Sequence, residues 1–455
     1  MTAIISPDSL HRLVKLAIDS GAAATVTEAQ ALFQGFRLAI DFSPDDPSDP
    51  VEQATLLTAV ALGRRVFLGG VAVTGALDTW GSTPMPLGSA LAEAVKALGG
   101  KVGGNDAGAP TVVIGRRQDR RDGLAIRTAA AGWRGGLVPA HANLAPEPGP
   151  ANPLAGMLAA ALAINEAFLH VNGAKAAGHR AVGLSLWRPG HDVDWLAGDP
   201  SEPALTYLPS KLWLIGLGHL GQAYLWALGL LPYGAPGDVK LVLQDVDAIT
   251  VSTESTSILT DAAMVGVQKT RAMAAWAERR GFQASIQERL FDADFRRRPD
   301  EPVVALCGLD NAAGRRALDQ VGFDMIVEAG LGRGHRDFRT LRLHTLPGPR
   351  PAADMWKATE AGEKVEDRPA YAKLLADGVL DRCGMTLLAG KAVGAPFVGA
   401  VAATFALSEI LRLLHGGRVH RLIDLDLLGV EHRTIVAAGD AFAALNPGYT
   451  LTGYR

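Results

Sequence analysis

The chain has 455 residues, of which 48% are hydrophobic and 20% are charged, and its net charge is −3. This length predicts two or three domains, and this composition is that of a soluble globular protein. The slightly negative net charge gives no electrostatic basis for binding nucleic acid or an anionic membrane. The two basic runs, at 115–121 and 296–298, are flanked by acids and are expected to be solvated surface charge.

Two cysteines occur, Cys307 and Cys383. They exclude a disulfide framework and any zinc site built from CxxC pairs, and they suit a reducing compartment. The N-terminus has no charged-then-apolar signal pattern, and the apolar run 392–408 is too short for a membrane span and contains Pro396. We therefore expect a cytoplasmic protein in which that run forms a buried helix with its lead-in.

The first elements along the chain are predicted to be helical. The pattern extends over about forty residues, with a capping box at 27–30 (TEAQ) ahead of the segment ALFQGFRLAI. Residues 43–50, SPDDPSDP, have the composition of a loop or linker. The sequence thus predicts a helical N-terminal segment and linker over residues 1–50.

From residue 65 onward, short apolar runs alternate with helical stretches. RVFLGGV and TVVIG are typical of strands, LGSALAEAVKALGG is typical of a helix that ends on glycine, and AIRTAAAGWRGGLVP fits neither type clearly. Alternating strands and helices predict a mostly parallel sheet. We assign this first α/β domain to residues 51–204.

Two segments of the chain resemble each other at a constant offset of 243 residues. They are PLAGMLAAALAINEAFLHVNG at 153–173 and PFVGAVAATFALSEILRLLHG at 396–416. Two unrelated alanine-rich core helices would share alanines by chance, so the other identities carry more weight: Pro153/Pro396, Gly156/Gly399, Glu166/Glu409 and Gly173/Gly416. The repeat predicts two related α/β halves, an intramolecular pseudo-dimer.

Only the second half carries a nucleotide-binding glycine motif. Gly216, Gly218 and Gly221 follow the apolar run LWLI at GxGxxG spacing and open the helix GQAYLWALGLL. The first glycine permits a tight turn, the second lets a phosphate approach the backbone, and the third lets helix and strand pack closely, while N–H groups at the helix start attract anions. His219 is expected to be a loop side chain without a chemical role. The motif predicts a nucleotide and leaves NAD and ATP open.

The first half is predicted to be degenerate at the corresponding place. We match the motif to FLGGVAVTG, in which Gly69, Gly70 and Gly75 have a different spacing. The expected fold is therefore α/β and Rossmann-like, with an active C-terminal half preceded by a degenerate partner.

Polar residues further along the second half favour ATP over NAD(P). Asp245 ends the strand KLVLQ, where a carboxylate can accept both ribose hydroxyls, and Asp247 is expected on the following loop. Lys269 begins an amphipathic helix, and Asp310 and Asn311 follow the buried strand VVALC. A lysine can offset phosphate charge, and a strand-tip carboxylate can hold Mg²⁺. Taken singly, the lysine could be a solvated charge and the aspartate a helix cap.

The order of five segments resembles the ThiF/MoeB/ubiquitin-activating superfamily over about residues 205–420. The segments are GLGHLG, DVDAITVS, VGVQKTRA, GLDNAAGRR and GAPFVGAVAATFALSEILRLL. Such enzymes adenylate the C-terminal carboxylate of a small ubiquitin-like protein or peptide, and they work as dimers or as paired active and inactive halves.

The resemblance implies a set of site residues and domain limits. It places the three glycines and Lys269 on the phosphates of ATP, Asp245 on the ribose and Asp310 at Mg²⁺, with Asn311 beside it. Arg315 matches the catalytic arginine that follows the Asp-Asn pair. We assign the adenylation domain to 205–435, with a crossover segment at about 335–390, and a tail to 436–455.

The chain departs from the superfamily after the ribose aspartate. An Asn-Leu-x-Arg element that touches ATP is usual there, whereas this chain has Thr253 and Thr256 at the Asn and Arg positions. Threonine cannot replace an arginine that stabilises phosphate charge. Arg12, Arg315 and Arg333 are candidates for the missing group.

The two cysteines are expected to differ in role. Cys383, in VLDRCGMTLLAGKAVGAPFVG, lies where the ubiquitin-activating branch has a thioester cysteine, and a small structural residue is the alternative. Cys307 is expected to be buried in the core. The preferred function is ATP- and Mg²⁺-dependent adenylation. An NAD(P)-dependent oxidoreductase and a non-catalytic nucleotide-binding partner protein are the alternatives.

Overall fold

The computed structural model describes residues 8–104, 108–116, 123–356, 369–377 and 382–454, and the side chains of 382–384 lie outside the described part. It contains two α/β halves. The elements of the first half, in chain order, are α1 (Lys15–Asp19), α2 (Val26–Gln34), β1 (Arg37–Ser43), α3 (Pro50–Val66), β2 (Gly70–Gly75), α4 (Leu91–Ala97), β3 (Lys101–Val102), β4 (Thr111–Gly115), β5 (Ala125–Ala131), β6 (Arg134–Pro139), α5 (Pro153–Val171) and β7 (Val182–Ser185).

The strands of the first half form one sheet in the order β3-β2-β1-β4-β5-β6-β7. Neighbouring strands from β3 to β5 are parallel, whereas β6 runs antiparallel to both β5 and β7. The segment AIRTAAAGWRGGLVP, which fitted neither type, forms the hairpin of β5 and β6. TVVIG is strand β4, and LGSALAEAVKALGG contains helix α4, as predicted.

The second half has the same architecture, but its main sheet has one added strand and a separate two-stranded sheet is formed by β8 and β17. Its elements are β8 (Tyr207–Pro209), β9 (Lys211–Ile215), α6 (His219–Leu230), β10 (Lys240–Gln244), α7 (Val251–Glu254), α8 (Lys269–Arg279), β11 (Gln283–Gln287), β12 (Val304–Cys307), α9 (Ala312–Arg316), β13 (Met325–Leu331), β14 (Thr340–Leu346), α10 (Ala352–Met355), α11 (Pro369–Ala376), α12 (Arg382–Gly390), α13 (Pro396–Leu414), β15 (His420–Asp426), β16 (Arg433–Ala437) and β17 (Tyr449–Leu451).

The two sheets share one strand order. The second runs β11-β10-β9-β12-β13-β14-β15-β16, so its first seven strands follow the connections of β3-β2-β1-β4-β5-β6-β7. It changes from parallel to antiparallel between β13 and β14, and the first sheet changes at the equivalent place, between β5 and β6. The repeat helices α5 and α13 both precede the seventh strand of their sheets. The mostly parallel α/β fold with two related halves is confirmed.

The prediction of helix through the first forty residues is wrong beyond Gln34. RLAIDFS is strand β1 at the centre of the first sheet, and its buried residues alternate as a strand requires. The first sheet therefore begins at Arg37, not at residue 51. The cap of α2 is also shifted, because Thr25, not Thr27, accepts the Glu28 N–H. The strand predicted over RVFLGGV is wrong in its first part, because α3 extends to Val66 and β2 begins only at Gly70.

The match of the glycine motif to FLGGVAVTG is wrong as well. The shared topology pairs β9 and α6 with β1 and α3, so the counterpart of the glycine loop is the segment 43–50, SPDDPSDP. There the N–H groups of Val51 and Glu52, at the start of α3, donate to the Asp49 carboxylate at 2.7 and 3.0 Å. The helix start that would attract a phosphate is thus occupied by a carboxylate of the chain itself.

The repeat helices pack against each other in a hydrophobic core shared by both halves. Among the described residues, Pro153–Val171 and Pro396–Leu414 are long and apolar enough to cross a membrane, but 89% of each tested window is buried in the protein. The buried helix predicted for 392–408 is therefore confirmed. Both repeat glycines serve close packing, because a Cβ at Gly156 would lie 2.5 Å from the Val51 carbonyl oxygen and one at Gly399 would lie 2.3 Å from His219 Nε2.

Polar residues of the repeat make equivalent contacts in the two halves. Glu166 Oε2 accepts the Gly178 N–H at 2.8 Å, and Glu409 Oε2 accepts the His420 N–H at 2.7 Å. Each carboxylate thus fixes the chain between its helix and the next strand.

Two contacts between the halves are reciprocal. Asn165 on α5 donates to the Leu427 carbonyl of the second half at 3.0 Å, and Arg412 on α13 donates to the Leu186 carbonyl of the first half. The two acceptors are equivalent, because each follows the seventh strand of its sheet, whereas the donors lie one helical turn apart in the repeat. The exchange therefore follows an approximate two-fold symmetry within one chain.

Candidate functional site

The candidate site lies at the carboxyl edge of the parallel strands in the second half, where ligands bind in open α/β sheets. Gly216, between β9 and α6, has φ +81°, and a Cβ on Gly221 would lie 1.9 Å from the Gly216 carbonyl oxygen. A Cβ on Gly218 would have no atom within 4 Å. The first glycine therefore makes the turn, the third permits close packing of strand and helix, and the second leaves the backbone accessible to a ligand.

Asp245 and Lys269 lie together beside this loop. The Leu217 N–H donates to Asp245 Oδ2 at 2.7 Å, which ties the carboxylate at the end of β10 to the glycine loop. Lys269 Nζ lies 3.6 Å from Asp245 Oδ1 and 2.8 Å from Asp247 Oδ2. Asp247 is on the loop after β10 with a side chain 67% exposed, as expected, but it is also the nearer partner of the lysine.

Asp310 and Asn311 follow β12, the strand on the other side of β9. Asn311 accepts the Gly314 N–H at 2.7 Å as the N-cap of α9, so its side chain has a structural task. Asp310 is exposed and forms no ion pair with any described residue. The described ranges contain no group of three or more His, Cys, Asp and Glu that could hold a metal.

Of the three candidate arginines, Arg12 lies closest to the altered segment after Asp245. Its Nη2 donates to Ser252 Oγ at 3.2 Å, and its backbone N–H donates to Ser255 Oγ at 3.2 Å. Burial lowers the pKa of Arg12, and the carboxylates of Asp8 and Asp310 oppose that shift. The arginine therefore lies beside the threonine-containing segment and within the field of Asp310.

The other two candidate arginines are engaged elsewhere. Arg315 Nε lies 2.9 Å from Glu328 Oε1, a carboxylate only 1% exposed on β13. Arg333 Nη2 donates to the Gly390 carbonyl at 3.5 Å, at the end of α12. The structure thus does not bring Arg315 and Arg333 together with the glycine loop as it does Asp245 and Lys269.

Two residues that sequence reasoning missed support the altered segment from the first half. Arg65 donates to the carbonyls of Glu254 and Thr260 at 3.0 and 2.7 Å, and Arg64 pairs with the Glu254 side chain. Burial lowers the pKa of Arg65 to about 9, with the Arg64 charge as the next cause. Arg64 and Arg65 are two adjacent charges in the last turn of α3, a mostly buried helix, and this placement was the sequence signal for a polar contact.

The structure partly buries His219 and fully buries Cys307, whereas the side chain of Cys383 lies outside the described residues. His219 is not on a loop but begins α6, and burial against the start of α13 lowers its pKa to about 4. Cys307 is buried, as predicted, and burial raises its pKa to about 12. Cys383 belongs to α12, but its side chain lies outside the described residues.

Comparison with known proteins adds the family. A model of the BilD N-terminal domain matches residues 37–186, and a model of the BilD C-terminal domain matches residues 208–417. The bacterial E1-like protein BilD of Collimonas sp. (strain OK412) is 45% identical over 428 residues, which cover 93% of this chain and 92% of the relative. The chain belongs to the BilD family of E1-like proteins. The E1-like part of the resemblance is thereby confirmed.

The solved structures that match include crystal structures of E. coli MccB. The structure of MccB without a named ligand is 15% identical with a TM-score of 0.34, and the match covers 51% of this chain and 63% of the MccB chain. The structure of MccB with ATP is 17% identical with a TM-score of 0.33, covering 51% and 65%. The matched part thus spans less than two thirds of MccB, and a likeness of this size carries no argument about function.

Proposed function

We propose that this E1-like protein uses ATP and Mg²⁺ to adenylate the C-terminal carboxylate of a small ubiquitin-like protein or peptide. One observation carries the proposal. Groups suited to the parts of ATP follow neighbouring strands of one sheet. Asp245 after β10 would bind the ribose, Gly216–Gly221 after β9 and Lys269 would bind the phosphates, and Asp310 after β12 would hold the metal. A hydride-transferring oxidoreductase needs neither a lysine at the position of Lys269 nor a carboxylate such as Asp310, which has no ion-pair partner among the described residues.

The residues present fit a magnesium ion. Mg²⁺ usually keeps several waters and binds one or two carboxylates together with substrate phosphates, so one exposed carboxylate suffices. Asp310, which has no ion-pair partner in the described part of the chain, would hold it. The bound ion would supply charge neutralisation on the phosphates.

The first step requires no nucleophilic side chain. A carboxylate oxygen of the acceptor attacks the α-phosphorus, the bond to the bridging oxygen of the β-phosphate breaks, and pyrophosphate leaves with the electron pair. Lys269 and Arg12 would stabilise the charge on the phosphates, and the glycine loop would hold them in position. Asp245 would fix the adenosine end by binding the ribose.

In the second step, the thiol of Cys383 would accept the acyl group. The thiolate attacks the acyl carbonyl, a C–S bond forms, the C–O bond to AMP breaks, and the thiol proton passes to solvent. The only other cysteine of the chain, Cys307, is buried with its pKa raised to about 12, and it is unsuited to this task. Cys383→Ala should retain ATP–pyrophosphate exchange and lose a thiol-labile acyl-enzyme, whereas Cys307→Ala should retain both.

The test of the nucleotide site is the melting temperature of the protein with ATP·Mg²⁺ and, separately, with NADH and NADPH. A ligand that binds only the folded state at a hundred times its dissociation constant stabilises it by about 2.7 kcal/mol. Lys269→Ala and Asp310→Ala should abolish the rise with ATP·Mg²⁺. Lys240→Ala and Asp238→Ala, near the opposite end of β10, are matched controls that should retain it.

The outcomes separate the alternatives. A rise with a nicotinamide cofactor alone would contradict the proposal in favour of an oxidoreductase. A rise with ATP·Mg²⁺ but no pyrophosphate exchange, tested with carboxyl-terminal peptides and ubiquitin-like proteins, would indicate a non-catalytic nucleotide-binding protein.

A further inference from the structure

A cavity lies against the sheet of the second half, two strands away from the strand that leads into the glycine loop. It has a volume of about 330 Å³ and is lined by residues of β13, β14 and α9 and by Arg350, Met355 and Trp356 around α10. Its lining includes Arg315, Glu328, Arg342, His344 and Trp356. None of these side chains is assigned a task in the proposed adenylation.

The floor of this cavity is a fixed polar cluster. Glu328 is only 1% exposed, and it is paired with Arg315 Nε at 2.9 Å and His344 Nδ1 at 3.2 Å. The His344 ring packs edge-on against Trp356 with centroids 5.4 Å apart, and the Arg315 guanidinium lies 6.0 Å from the Trp356 ring centroid. The single carboxylate of the lining is therefore already engaged within the cluster.

The cavity as a whole carries an excess of positive charge. Three guanidinium groups, on Arg315, Arg342 and Arg350, face one carboxylate, on Glu328, so the arginines and the glutamate of the lining sum to a charge of +2. Arg342 Nε also donates to Asp424 Oδ2 at 2.9 Å, outside the lining. Among the described residues, Arg350 donates to one backbone carbonyl, that of Asp354, and has no carboxylate within ion-pair distance. Arg350 thus has its charge to offer to a ligand.

The position of the cavity relates it to the acceptor and not to the nucleotide. Along the sheet edge the order is β10, β9, β12, β13, β14, which places the ribose carboxylate, the glycine loop, Asp310 and then the cavity in sequence. Two strand spacings separate β9 from β13, a distance of about 10 Å. An extended peptide covers about 3.3 Å per residue, so about three residues would connect the reacting carboxylate to this cavity.

We infer that this cavity, hereafter the arginine pocket, binds an acidic side chain located two to four residues before the C-terminal carboxylate of the acceptor. Arg350 and Arg342 would supply charged hydrogen bonds to the carboxylate, and Trp356 would pack against its methylene groups. The inference rests on the proposed adenylation, because that reaction is what brings a polypeptide end to this edge. The substrate class would then be a polypeptide acceptor with an acidic residue close to its C-terminus.

The test measures binding separately from catalysis. Fluorescein-labelled decapeptides with a free C-terminal glycine would carry one glutamate at the second, third or fourth position from the end, with glutamine in the matched peptides. Dissociation constants for the full-length protein would come from fluorescence anisotropy, and ATP–pyrophosphate exchange would be recorded with the same peptides. We expect one glutamate peptide to bind about tenfold more tightly than its glutamine counterpart, as for a hydrogen bond to a charged group.

The variants assign that preference to the pocket. Arg350→Ala and Arg342→Ala should reduce it to less than about twofold, and Arg350→Glu should reverse it toward a peptide with lysine at the same position. Arg116→Ala removes a surface arginine of the first half and should leave it unchanged; melting temperatures would verify that each variant is folded. Equal affinities for both peptides, including binding too weak to detect for both, would overturn the inference, as would a preference that survives in both alanine variants.

The two proposals can fail independently. An acid preference lost in the variants, with no pyrophosphate exchange for any peptide, would overturn the adenylation proposal and support the carboxylate specificity of the arginine pocket. Pyrophosphate exchange without an acid preference would overturn only the pocket.

Discussion

Arg12 Nη2 donates a hydrogen bond to Ser252 Oγ at 3.2 Å, at the start of the segment where threonines occupy the positions of the superfamily's asparagine and arginine. The N-terminal segment, which precedes both sheets, thus brings a cation to the site of the second half. The segment is held there by the Ser252 N–H, which donates to the Asp8 carbonyl at 2.8 Å, and by Lys391 Nζ, which lies 2.8 Å from Asp8 Oδ1.

Arg12→Ala should lower the rate of ATP–pyrophosphate exchange by about 10²- to 10³-fold, the loss typical of removing one preorganised charge-stabilising donor. Arg12→Lys should restore only part of the rate, because an ammonium cannot reproduce two-pronged guanidinium contacts. Arg333→Ala is the control and should exchange at the wild-type rate. A normal rate in Arg12→Ala would contradict the assignment of this arginine to the phosphates.

Two substitutions in the glycine motif, one at the N-cap of α6 and one within that helix, should act differently. Gly221→Ala puts a methyl group 1.9 Å from the Gly216 carbonyl oxygen, so it should lower the free energy of unfolding by about 1–3 kcal/mol or more. Gly218→Ala meets no atom within 4 Å and should leave stability nearly unchanged while weakening ATP binding. Denaturant melts and ATP titrations of both variants test this, and equal stability losses would contradict it.

The reciprocal contact at Arg412 should be important for stability. Arg412 is fully buried and pairs with Glu409, itself 1% exposed, so Arg412→Ala leaves a buried carboxylate without its cation. Removing one partner of a buried pair costs about 3–5 kcal/mol. Chemical denaturation should show this loss, and the double variant Glu409→Gln with Arg412→Met should recover part of it. Non-recovery would indicate that the hydrogen bond to the Leu186 carbonyl is the dominant contribution.

Stability should depend on pH through Glu52, beside the acidic loop of the first half. Burial, then the Asp49 charge, raises its pKa to about 7, whereas in the unfolded chain it ionises near 4.5. As pH rises from about 4.5 to 7, only the unfolded state gains this negative charge, so the free energy of unfolding falls, by about 3 kcal/mol in total.

Glu52→Gln should therefore match the wild type at pH 4.5 and exceed it in stability by about 3 kcal/mol at pH 8, measured by denaturant melts across that range. Glu278→Gln, an exposed change on α8, is the control and should show no such divergence. Parallel curves for the wild type and Glu52→Gln would contradict the raised pKa.

The sequence predicted well what depends on local pattern. The period of LWLI and the glycine spacing fix β9, the turn and α6, and the identities at offset 243 identify α5 and α13 as equivalent helices. The failures lie where tertiary contacts decide. RLAIDFS continues a helical segment by propensity, but pairing with β2 and β4 on both sides makes it a central strand.

The same limit applies to the site. The acidic segment 43–50 is identified as the counterpart of the glycine loop by the order of the strands. A local sequence pattern does not reveal strand order. The preference for Arg12 over Arg315 depends on Glu328, a buried carboxylate on the next strand that pairs with Arg315 of α9, and no local pattern around Arg315 shows this pairing. The resemblance to the superfamily favoured Arg315, whereas the hydrogen bonds to Ser252 and Ser255 place Arg12 beside the altered segment.

The pairing of Asn165 with Leu427 and of Arg412 with Leu186 has a consequence for how this protein can vary. In an assembly of two identical subunits, every mutation appears on both sides of the axis at once. Here each side has its own codons, so one position of the repeat is Asn165 and its counterpart is Ser408, and one strand-to-helix turn is GLGHLG while the other is SPDDPSDP. Each half is thus free to change at the interface and at its strand-to-helix turn without the same change in the other half.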